Sequence, residues 1–305
     1  MKAGTNLEKV LESGAFAVTA EAGPPKGTSA AAVQKKGDLL RPCCDAVNVT
    51  DNQTAIVRMS SIAGCVLLKK QGIDPVMQMV TRDRNRIALQ SDVLGAIALG
   101  IGNILCLTGD HQKFGNHPTA KGVFDLDSIQ LIQTVKRIRD EKKFLNGEDI
   151  SGETPLYIGA AENPFADPFE FRVLRLAKKV KAGADFIQTQ AVYDVPKFAR
   201  WMGMICDRGL DKQVHILAGV IPIKSAGMAR YMRSSVAGVS VPEEVVKRME
   251  QTKNAREEGM KIIIEIIEQL KKMPGVHGIH IMAVGWEEAV PEIVKQAGLL
   301  PRPIL

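Results

Sequence analysis

The chain has 305 residues, of which 45% are hydrophobic and 24% charged, and its 27 glycines and 15 prolines are scattered along it. This composition is typical of a globular, enzyme-sized protein and excludes the collagen-like and disordered classes. The formal net charge of +6 favours an anionic ligand over nucleic acid, because the sequence has no zinc-finger spacing and no alternation of basic and aromatic residues.

The first ten residues, Met1 to Val10, are polar and charged. They do not resemble a secretory signal, and no apolar run reaches the roughly 18 residues that span a bilayer. The five cysteines are odd in number and lack C-x-x-C spacing, which predicts reduced thiols rather than disulfides or a metal site. We therefore expect a cytoplasmic protein.

Eight short apolar segments, each followed by a stretch with helical spacing, run through the chain. The predicted strands are Phe16–Ala20, Ala46–Thr50, Val76–Val80, Ile104–Thr108, Leu156–Ala160, Phe186–Gln190, Val214–Ala218 and Gly278–Met282. The predicted helices cover 28–41, 57–71, 84–100, 126–143, 167–182, 195–208, 224–233 with 242–272, and 286–297. Eight alternations predict an α/β fold, a single (β/α)8 TIM barrel that forms one domain over 1–305, since open doubly wound sheets usually have fewer strands.

Two segments depart from this simple repeat. The stretch Asn146–Thr154 is rich in Gly, Asp and Ser and predicts a surface loop before strand five. The helix around Ala255–Lys272 carries a wide isoleucine face. That face indicates core packing or, alternatively, a subunit interface.

In such barrels the functional groups lie at the carboxyl ends of the strands and in the loops after them. These positions hold carboxylates, amides, a hydroxyl and an imidazole: Glu21, Thr50, Asp51, Gln78, Asp110, His111, Glu162, Asn163 and Gln190. We expect the active site to be drawn from this set.

Glu21 comes directly after an apolar strand and before the rigid turn Ala22-Gly23-Pro24-Pro25. A half-buried carboxyl favours its neutral form, which suits general acid chemistry. A strand-end glutamate satisfied by backbone amides is the structural alternative.

Asp110 follows Gly109, which lets the backbone turn tightly at the barrel mouth. His111 and His117 flank the next loop, but no further ligand is placed to complete a metal site, so we predict none. The amides of Gln190 and Asn163 suit the edge of a planar heterocycle or, equally, the cap of the next helix. No G-x-G-x-x-G, P-loop or nucleophile elbow is present, so a bound cofactor would lie across the strand ends.

Over nearly its whole length the chain resembles the methylenetetrahydrofolate reductase family. The resemblance is carried by Glu21–Pro25, Val47–Thr50, Leu107–Asp110, Gly159–Pro164, Lys178–Asp185, Ile187–Gln190, Ala218–Pro222 and His277–His280. It implies a barrel that binds FAD and transfers hydride from N5 of the reduced flavin to 5,10-methylenetetrahydrofolate, giving 5-methyltetrahydrofolate.

The resemblance also implies roles for particular residues. Glu21 matches the acid that protonates N10 of the folate and opens its ring, and Asp110 matches an aspartate near the flavin. Gln190 matches a glutamine that contacts the pterin, and Lys179 matches a lysine associated with the ribityl-phosphate region. The other implied cofactor positions are Thr50, Gln78, Thr108, Gly109, Ala160 and Asn163.

The chain departs from the family pattern at several of these places. Ala22 and Gly23 replace aromatic residues, Gln78 stands where many members have His, Thr108 where many have Arg, and Ala161 where Tyr often lies. Flavin packing should therefore differ in detail, and FMN is an alternative to FAD.

The electron donor is expected to be NADH, NADPH or an iron–sulfur partner subunit, and the protein is expected to be an oligomer. The low aromatic content of 5% slightly favours the partner subunit, because few residues could stack on a nicotinamide. Two other functions stay open: a flavin-free, pterin-binding methyltransferase barrel and a non-catalytic barrel subunit.

Overall fold

Eight parallel strands close into a barrel in chain order in the computed structural model, which describes residues 1–236 and 238–305. The strands are β1 (Ala17–Glu21), β2 (Ala46–Val49), β3 (Pro75–Val80), β4 (Asn103–Leu107), β5 (Tyr157–Glu162), β6 (Phe186–Ala191), β7 (His215–Val220) and β8 (Gly278–Ile281). β8 pairs with β1, with Thr19 opposite His280, and this pairing closes the sheet. The predicted (β/α)8 barrel is confirmed.

Helices pack around the barrel, and those that lie between the first and the last strand connect successive strands. They are α1 (Asn6–Glu12), α2 (Ala30–Leu40), α3 (Ser61–Lys69), α4 (Arg86–Ala98), α5 (Ser128–Glu141), α6 (Phe171–Ala182), α7 (Val195–Cys206), α8 (Ala226–Ser235), α9 (Glu243–Gln251), α10 (Ala255–Leu270) and α11 (Val290–Gln296). Many begin at a side-chain cap. At α5, Asp127 and Gln130 form a reciprocal capping box, which satisfies amide groups that a helix start leaves free.

The apolar core has two parts, separated by the wall of the barrel. One large cluster fills the space between the strands and the outer helices. A smaller cluster fills the amino-terminal half of the barrel interior, where Leu7, Val10 and Leu11 of α1 pack beneath inward-facing residues such as Phe186 and Leu217. Helix α1, which was not predicted from the sequence, therefore closes the amino-terminal end of the barrel.

The predicted continuous helix over 242–272 is wrong. It is divided into α9 and α10 because Thr252 is extended (φ −80°, ψ 145°), and the side chain of Asn254 accepts a hydrogen bond from the Glu257 amide to start α10. Ile262, Ile263, Ile266 and Ile267 on α10 are buried in the core. The core-packing interpretation of this isoleucine face is therefore the right one.

The other predicted elements are found within a few residues. The helix predicted over 286–297 starts as a 3-10 turn, Glu287–Ala289, before α11, and the loop 146–154 carries only an isolated bridge between Lys143 and Asp149. The five cysteines are free thiols. No helix in the described part of the chain is long and apolar enough to cross a membrane.

Candidate functional site

A layer of polar side chains crosses the middle of the barrel above the apolar cluster. It consists of Thr19, Asn48, Gln188 and His280, which are all buried. Asn48 and Gln188 exchange two hydrogen bonds, with Nδ2 of Asn48 2.7 Å from Oε1 of Gln188 and Nε2 of Gln188 3.0 Å from Oδ1 of Asn48. Gln188 also donates to Oγ1 of Thr19 (3.1 Å), and that oxygen lies 2.9 Å from Nδ1 of His280.

Glu21 lies one layer higher, at the carboxyl end of β1. Because successive strand residues face opposite sides, it points into the barrel like Thr19. Its side chain is 13% exposed. Nε2 of Gln78 donates to Oε1 of Glu21 at 3.1 Å, and Nε2 of His280 lies 3.6 Å from the same oxygen. Two of the predicted site residues, Glu21 and Gln78, are thus in direct contact.

The end of β2 carries one free and one paired polar group. Oγ1 of Thr50 is buried and has no hydrogen-bond partner among the described residues. By contrast, Asp51 accepts hydrogen bonds from the Val80 amide (3.0 Å) and from Arg84 (2.7 Å). Asp51 therefore ties the end of β2 to β3 and to the segment before α4, whereas Thr50 has hydrogen-bonding capacity that no described residue uses.

Asp110 lies in an exposed loop that is held by groups from neighbouring strands. Its Oδ2 accepts a hydrogen bond from the Thr54 amide at 3.2 Å. The buried guanidinium of Arg82 donates to the carbonyl of Asp110 (3.0 Å) and to that of Asn52 (3.3 Å). Gly109 has φ +90°, a conformation that favours glycine. The loops after β2 and β4 are thus fixed to each other beside Asp110.

The predicted residues on β5 and α6 do not all reach the mouth of the barrel. Nζ of Lys179 on α6 lies 2.7 Å from Oε2 of Glu162 and also donates to the Ala161 carbonyl. Both charged groups are buried, and burial lowers the pKa of Lys179 although Glu162 opposes the effect. Ala160 is buried in the cluster between strands and helices. The side chains of Lys179 and Ala160 are therefore not open to a ligand in this arrangement.

Three further predicted side chains are engaged in local hydrogen bonds. Oδ1 of Asn163 accepts from the Phe165 amide (3.0 Å), and Oε1 of Gln190 accepts from the Ala191 amide (3.2 Å). Oγ1 of Thr108 accepts from the Ser128 amide (3.2 Å) at the start of α5. The side chain of Thr108 thus contacts a helix end, while Gln190 ends the strand that carries Gln188.

The polar layer beneath the strand ends was not predicted from the sequence. Its members precede candidate site residues by two positions: Thr19 before Glu21, Asn48 before Thr50, and Gln188 before Gln190. The period-two alternation of strand side chains was a signal that could have found these residues, and His280 stands at the corresponding place in β8.

No group of three or more His, Cys, Asp or Glu residues within 1–236 and 238–305 is arranged to hold a metal ion. Nδ1 of His111 accepts from the Lys113 amide (3.2 Å), and Nδ1 of His117 lies 3.1 Å from Oδ1 of Asn116. Both imidazoles contact their own loop.

A cleft of about 850 Å³ lies at the other end of the barrel, lined by residues 6, 41, 42, 44, 45, 72–74 and 300–305. It opens at the amino-terminal ends of the strands, where polar residues in barrels of this type usually serve stability. Arg302 supports that interpretation, because its guanidinium pairs with the buried Asp45 at 2.6 Å. The carboxyl ends of the strands are therefore the candidate site.

The fold and the site define a (β/α)8 barrel with a carboxyl group, amides and a hydroxyl that has no partner among the described residues at the carboxyl ends of its strands. A family model for methylenetetrahydrofolate reductase matches residues 6–298. The chain belongs to the methylenetetrahydrofolate reductase family.

Curated relatives agree with this assignment. Methylenetetrahydrofolate reductase 1 of Schizosaccharomyces pombe is 27% identical over 238 residues, which cover 75% of this chain and 36% of the relative. The 5,10-methylenetetrahydrofolate reductase of Salmonella typhimurium is 23% identical over 76% of this chain and 73% of the relative. The chain thus spans about a third of the length of the fission yeast relative and most of the bacterial one.

Solved structures share the fold at low sequence identity. An uncharacterized protein from Clostridium thermocellum that binds two copies of 5-methyl-5,6,7,8-tetrahydrofolic acid superposes with a TM-score of 0.65, at 14% identity, over 96% of this chain and 98% of that one. A 2,3-dimethylmalate lyase superposes with a TM-score of 0.53 at 11% identity, over 98% of this chain and 89% of that one. These likenesses concern the fold alone.

Proposed function

We propose that the chain reduces 5,10-methylenetetrahydrofolate to 5-methyltetrahydrofolate with a bound flavin. The observation that carries the proposal is the carboxyl group of Glu21, which is partly exposed above the polar layer and accepts a hydrogen bond from Gln78. Family membership supplies the reaction class. The clostridial barrel of similar fold binds 5-methyl-5,6,7,8-tetrahydrofolic acid, which is consistent with a folate substrate for this chain.

The residues present fit a flavin at the ends of β2 and β4. The buried Oγ1 of Thr50 has no partner among the described residues. Gly23 lies beside this oxygen without a side chain to cover it: a Cβ on Gly23 would lie 3.7 Å from Oγ1 of Thr50. We assign Thr50, Gln78, Gly109 and Asp110 to the flavin side of the site. FAD is the expected cofactor and FMN the alternative; when bound, the reduced flavin supplies the hydride that converts the methylene carbon to a methyl group.

Other predicted flavin contacts are more restricted in this arrangement. Ala160 would contribute through its backbone, and the side chains of Thr108 and Asn163 would have to share their hydrogen bonds with the backbone amides they already contact. Lys179 would reach a ribityl-phosphate region only by exchanging its contact with Glu162.

Glu21 acts on the folate. Its O–H bond breaks as the proton passes to N10, directly or through a water molecule, and the carbon–N10 bond of the five-membered ring then opens. The resulting 5-iminium cation accepts hydride far better than the closed ring does, so protonation has to come first. The side-chain amide of Gln190 would form hydrogen bonds with the edge of the pterin.

Asp110 acts through its charge. A carboxylate beside the reacting centre favours the cationic iminium form of the folate and opposes negative charge on the reduced cofactor. Both effects direct electrons towards the folate. The hydrogen bond from the Thr54 amide and the clamp by Arg82 would keep this charge in place without neutralising it by an ion pair.

The electron donor is proposed to be NADH, NADPH or an iron–sulfur partner subunit, and the working form an oligomer in the cytoplasm. The free thiols are consistent with a reducing compartment. Stopped-flow reduction of the flavin by each nicotinamide separates these donors, because a chain that needs a protein partner reacts slowly with both nucleotides.

The test of the proposed function begins with the absorption spectrum of the purified chain. The photoreduced protein is then mixed anaerobically with 5,10-methylenetetrahydrofolate. Return of the oxidised flavin band, together with formation of 5-methyltetrahydrofolate, is the expected result. A protein that takes up neither FAD nor FMN would overturn the proposal and favour the methyltransferase or non-catalytic alternatives.

A further inference from the structure

His280 is a buried imidazole between the polar layer of the barrel and the carboxyl group of Glu21. Its side chain is 3% exposed. Nδ1 faces Oγ1 of Thr19 at 2.9 Å, and Nε2 faces Oε1 of Glu21 at 3.6 Å. The contact with Glu21 is longer than a hydrogen bond, and such contacts at active sites often tighten only when substrate binds.

The hydrogen bonds of the polar layer indicate which nitrogen of His280 carries the proton. In the structure Asn48 and Gln188 exchange two hydrogen bonds, and Nε2 of Gln188 also donates to Oγ1 of Thr19. The Thr19 hydroxyl has one hydrogen to give, and Nδ1 of His280 at 2.9 Å is a closer acceptor than the Ile279 carbonyl at 3.4 Å. Nδ1 then accepts, and the proton of the neutral ring lies on Nε2, facing Glu21.

Two donors thus converge on one oxygen of Glu21. Oε1 already accepts from Gln78, and Nε2–H of His280 points towards it. Within residues 1–236 and 238–305, Oε2 has no hydrogen-bond partner. In the neutral acid the proton is therefore expected on Oε2, because an O–H at Oε1 would face the N–H groups of Gln78 and His280, which are also donors.

Other charged groups at this end of the barrel are held in contacts of their own. Lys36 of α2 pairs with Glu287 and donates to the Gly23 carbonyl. The carboxyls that end neighbouring strands are bonded as follows: Asp51 to Arg84, Glu162 to Lys179, and Asp110 to the Thr54 amide. Within the described residues, His280 is the ionisable group paired with Glu21.

Resting on the proposed function, we propose that His280 is a positioning residue for the acid Glu21. His280 holds the carboxyl group so that Oε2 carries the transferable proton. When the carboxylate forms, Nε2–H of His280 moves closer to Oε1 and donates a hydrogen bond to it. The network of Asn48, Gln188 and Thr19 serves this purpose by keeping the proton of His280 on Nε2.

The tautomer can be tested without turnover. Nitrogen NMR of the flavin-loaded protein with isotope-labelled histidine distinguishes a protonated from an unprotonated ring nitrogen, and the signals lost in His280→Gln identify His280 among the five histidines. We expect an unprotonated Nδ1 and a protonated Nε2 at neutral pH, and a mixture of tautomers in Thr19→Val. A proton on Nδ1 in the parent protein overturns the inference.

The role can be tested in the folate half-reaction of the same preparations. His280→Leu should slow reoxidation of the reduced flavin by the folate about ten- to a hundredfold, the range expected for loss of a hydrogen bond to a charged group. Without this donor the carboxylate is less stable, so the alkaline limb of the pH–rate profile should move up by about one pH unit. Reduction of the flavin by its donor should be unchanged.

His280→Gln should restore part of the rate, because its amide can offer an N–H in place of Nε2–H. A pH profile that does not move in His280→Leu, or a glutamine variant no faster than leucine, overturns the positioning role. If the parent protein reduces the folate but His280 carries its proton on Nδ1, the positioning role is overturned and the proposed function stands. A parent that binds flavin and fails to reduce the folate removes the proposed function and the positioning role with it.

Discussion

Lys179 and Glu162 form an ion pair of 2.7 Å in which both side chains are buried, with exposed fractions of 7% and 2%. Neither group can be left alone in such a site, because an unpaired buried charge is costly. Lys179→Met should therefore lower the free energy of unfolding by about 3 to 5 kcal/mol. The double variant Lys179→Met, Glu162→Leu should recover much of that loss.

Urea denaturation of the flavin-free protein measures both variants. The matched control is Lys142→Met, because its ion pair with Glu153 is solvent-exposed and such pairs contribute about 0 to 1 kcal/mol. A loss in Lys179→Met no greater than in Lys142→Met would contradict a buried pair.

Glu21→Gln tests the acid itself. The amide keeps the shape of the side chain but has no transferable proton, so reduction of the folate should fall about a hundred- to ten-thousandfold, the usual contribution of general acid catalysis. Flavin content and reduction by the donor should be nearly unchanged. Glu12→Gln, at the amino-terminal end of the barrel, is the control. Folate turnover near the parent rate in Glu21→Gln would exclude Glu21 as the acid.

The fold was predictable because buried parallel strands appear as continuous apolar runs, and the predicted strands lie within two residues of those observed at either end. The division between α9 and α10 was missed, although the segment 250–258 has Ala255 as its one apolar residue and so interrupts the helical spacing. What ends α9 is local: an extended Thr252 and the cap formed by Asn254.

The site was predictable only in part, because strand ends can be located from sequence but contacts between strands cannot. Thr19 and His280 are 261 residues apart in the chain, and Asn48 and Gln188 are 140 apart. Their contacts follow from closure of the barrel and the register of its strands. Similarly, the resemblance places Lys179 near a cofactor, while its contact with Glu162 depends on how α6 packs on β5.

Asp110→Asn tests the electrostatic role of the second carboxyl group. The amide can still accept the hydrogen bond from Thr54, so the loop should keep its conformation while one negative charge is lost. The midpoint potential of the bound flavin should rise, because the anionic reduced form is no longer repelled. Reduction of the folate should slow about tenfold or more, since the iminium cation loses stabilisation. An unchanged potential, measured by dye equilibration, would indicate that Asp110 lies away from the flavin.

We expect protonation of His277 to destabilise the folded protein on mild acidification. Burial, followed by the neighbouring His215, lowers the pKa of His277; the two rings meet edge-on with centroids 5.0 Å apart. Nδ1 of His277 accepts a hydrogen bond from the Ile216 amide at 3.2 Å, which protonation would break. The unfolded chain therefore binds the proton more readily, and stability is lost as the pH falls through the ordinary histidine range near about 6.5.

Urea unfolding between neutral pH and about pH 5.5 measures this effect. His277→Gln, which can still accept from the Ile216 amide, should flatten the pH dependence, whereas His117→Gln in an exposed loop should leave it unchanged. The binding of one full proton would change the free energy of unfolding by about 1.4 kcal/mol per pH unit. Because His277 is only partly buried and solvent screens its charge, the parent and His277→Gln should differ in slope by less than this. A parent and a His277→Gln variant with the same slope would show that His277 titrates alike in the folded and unfolded chains.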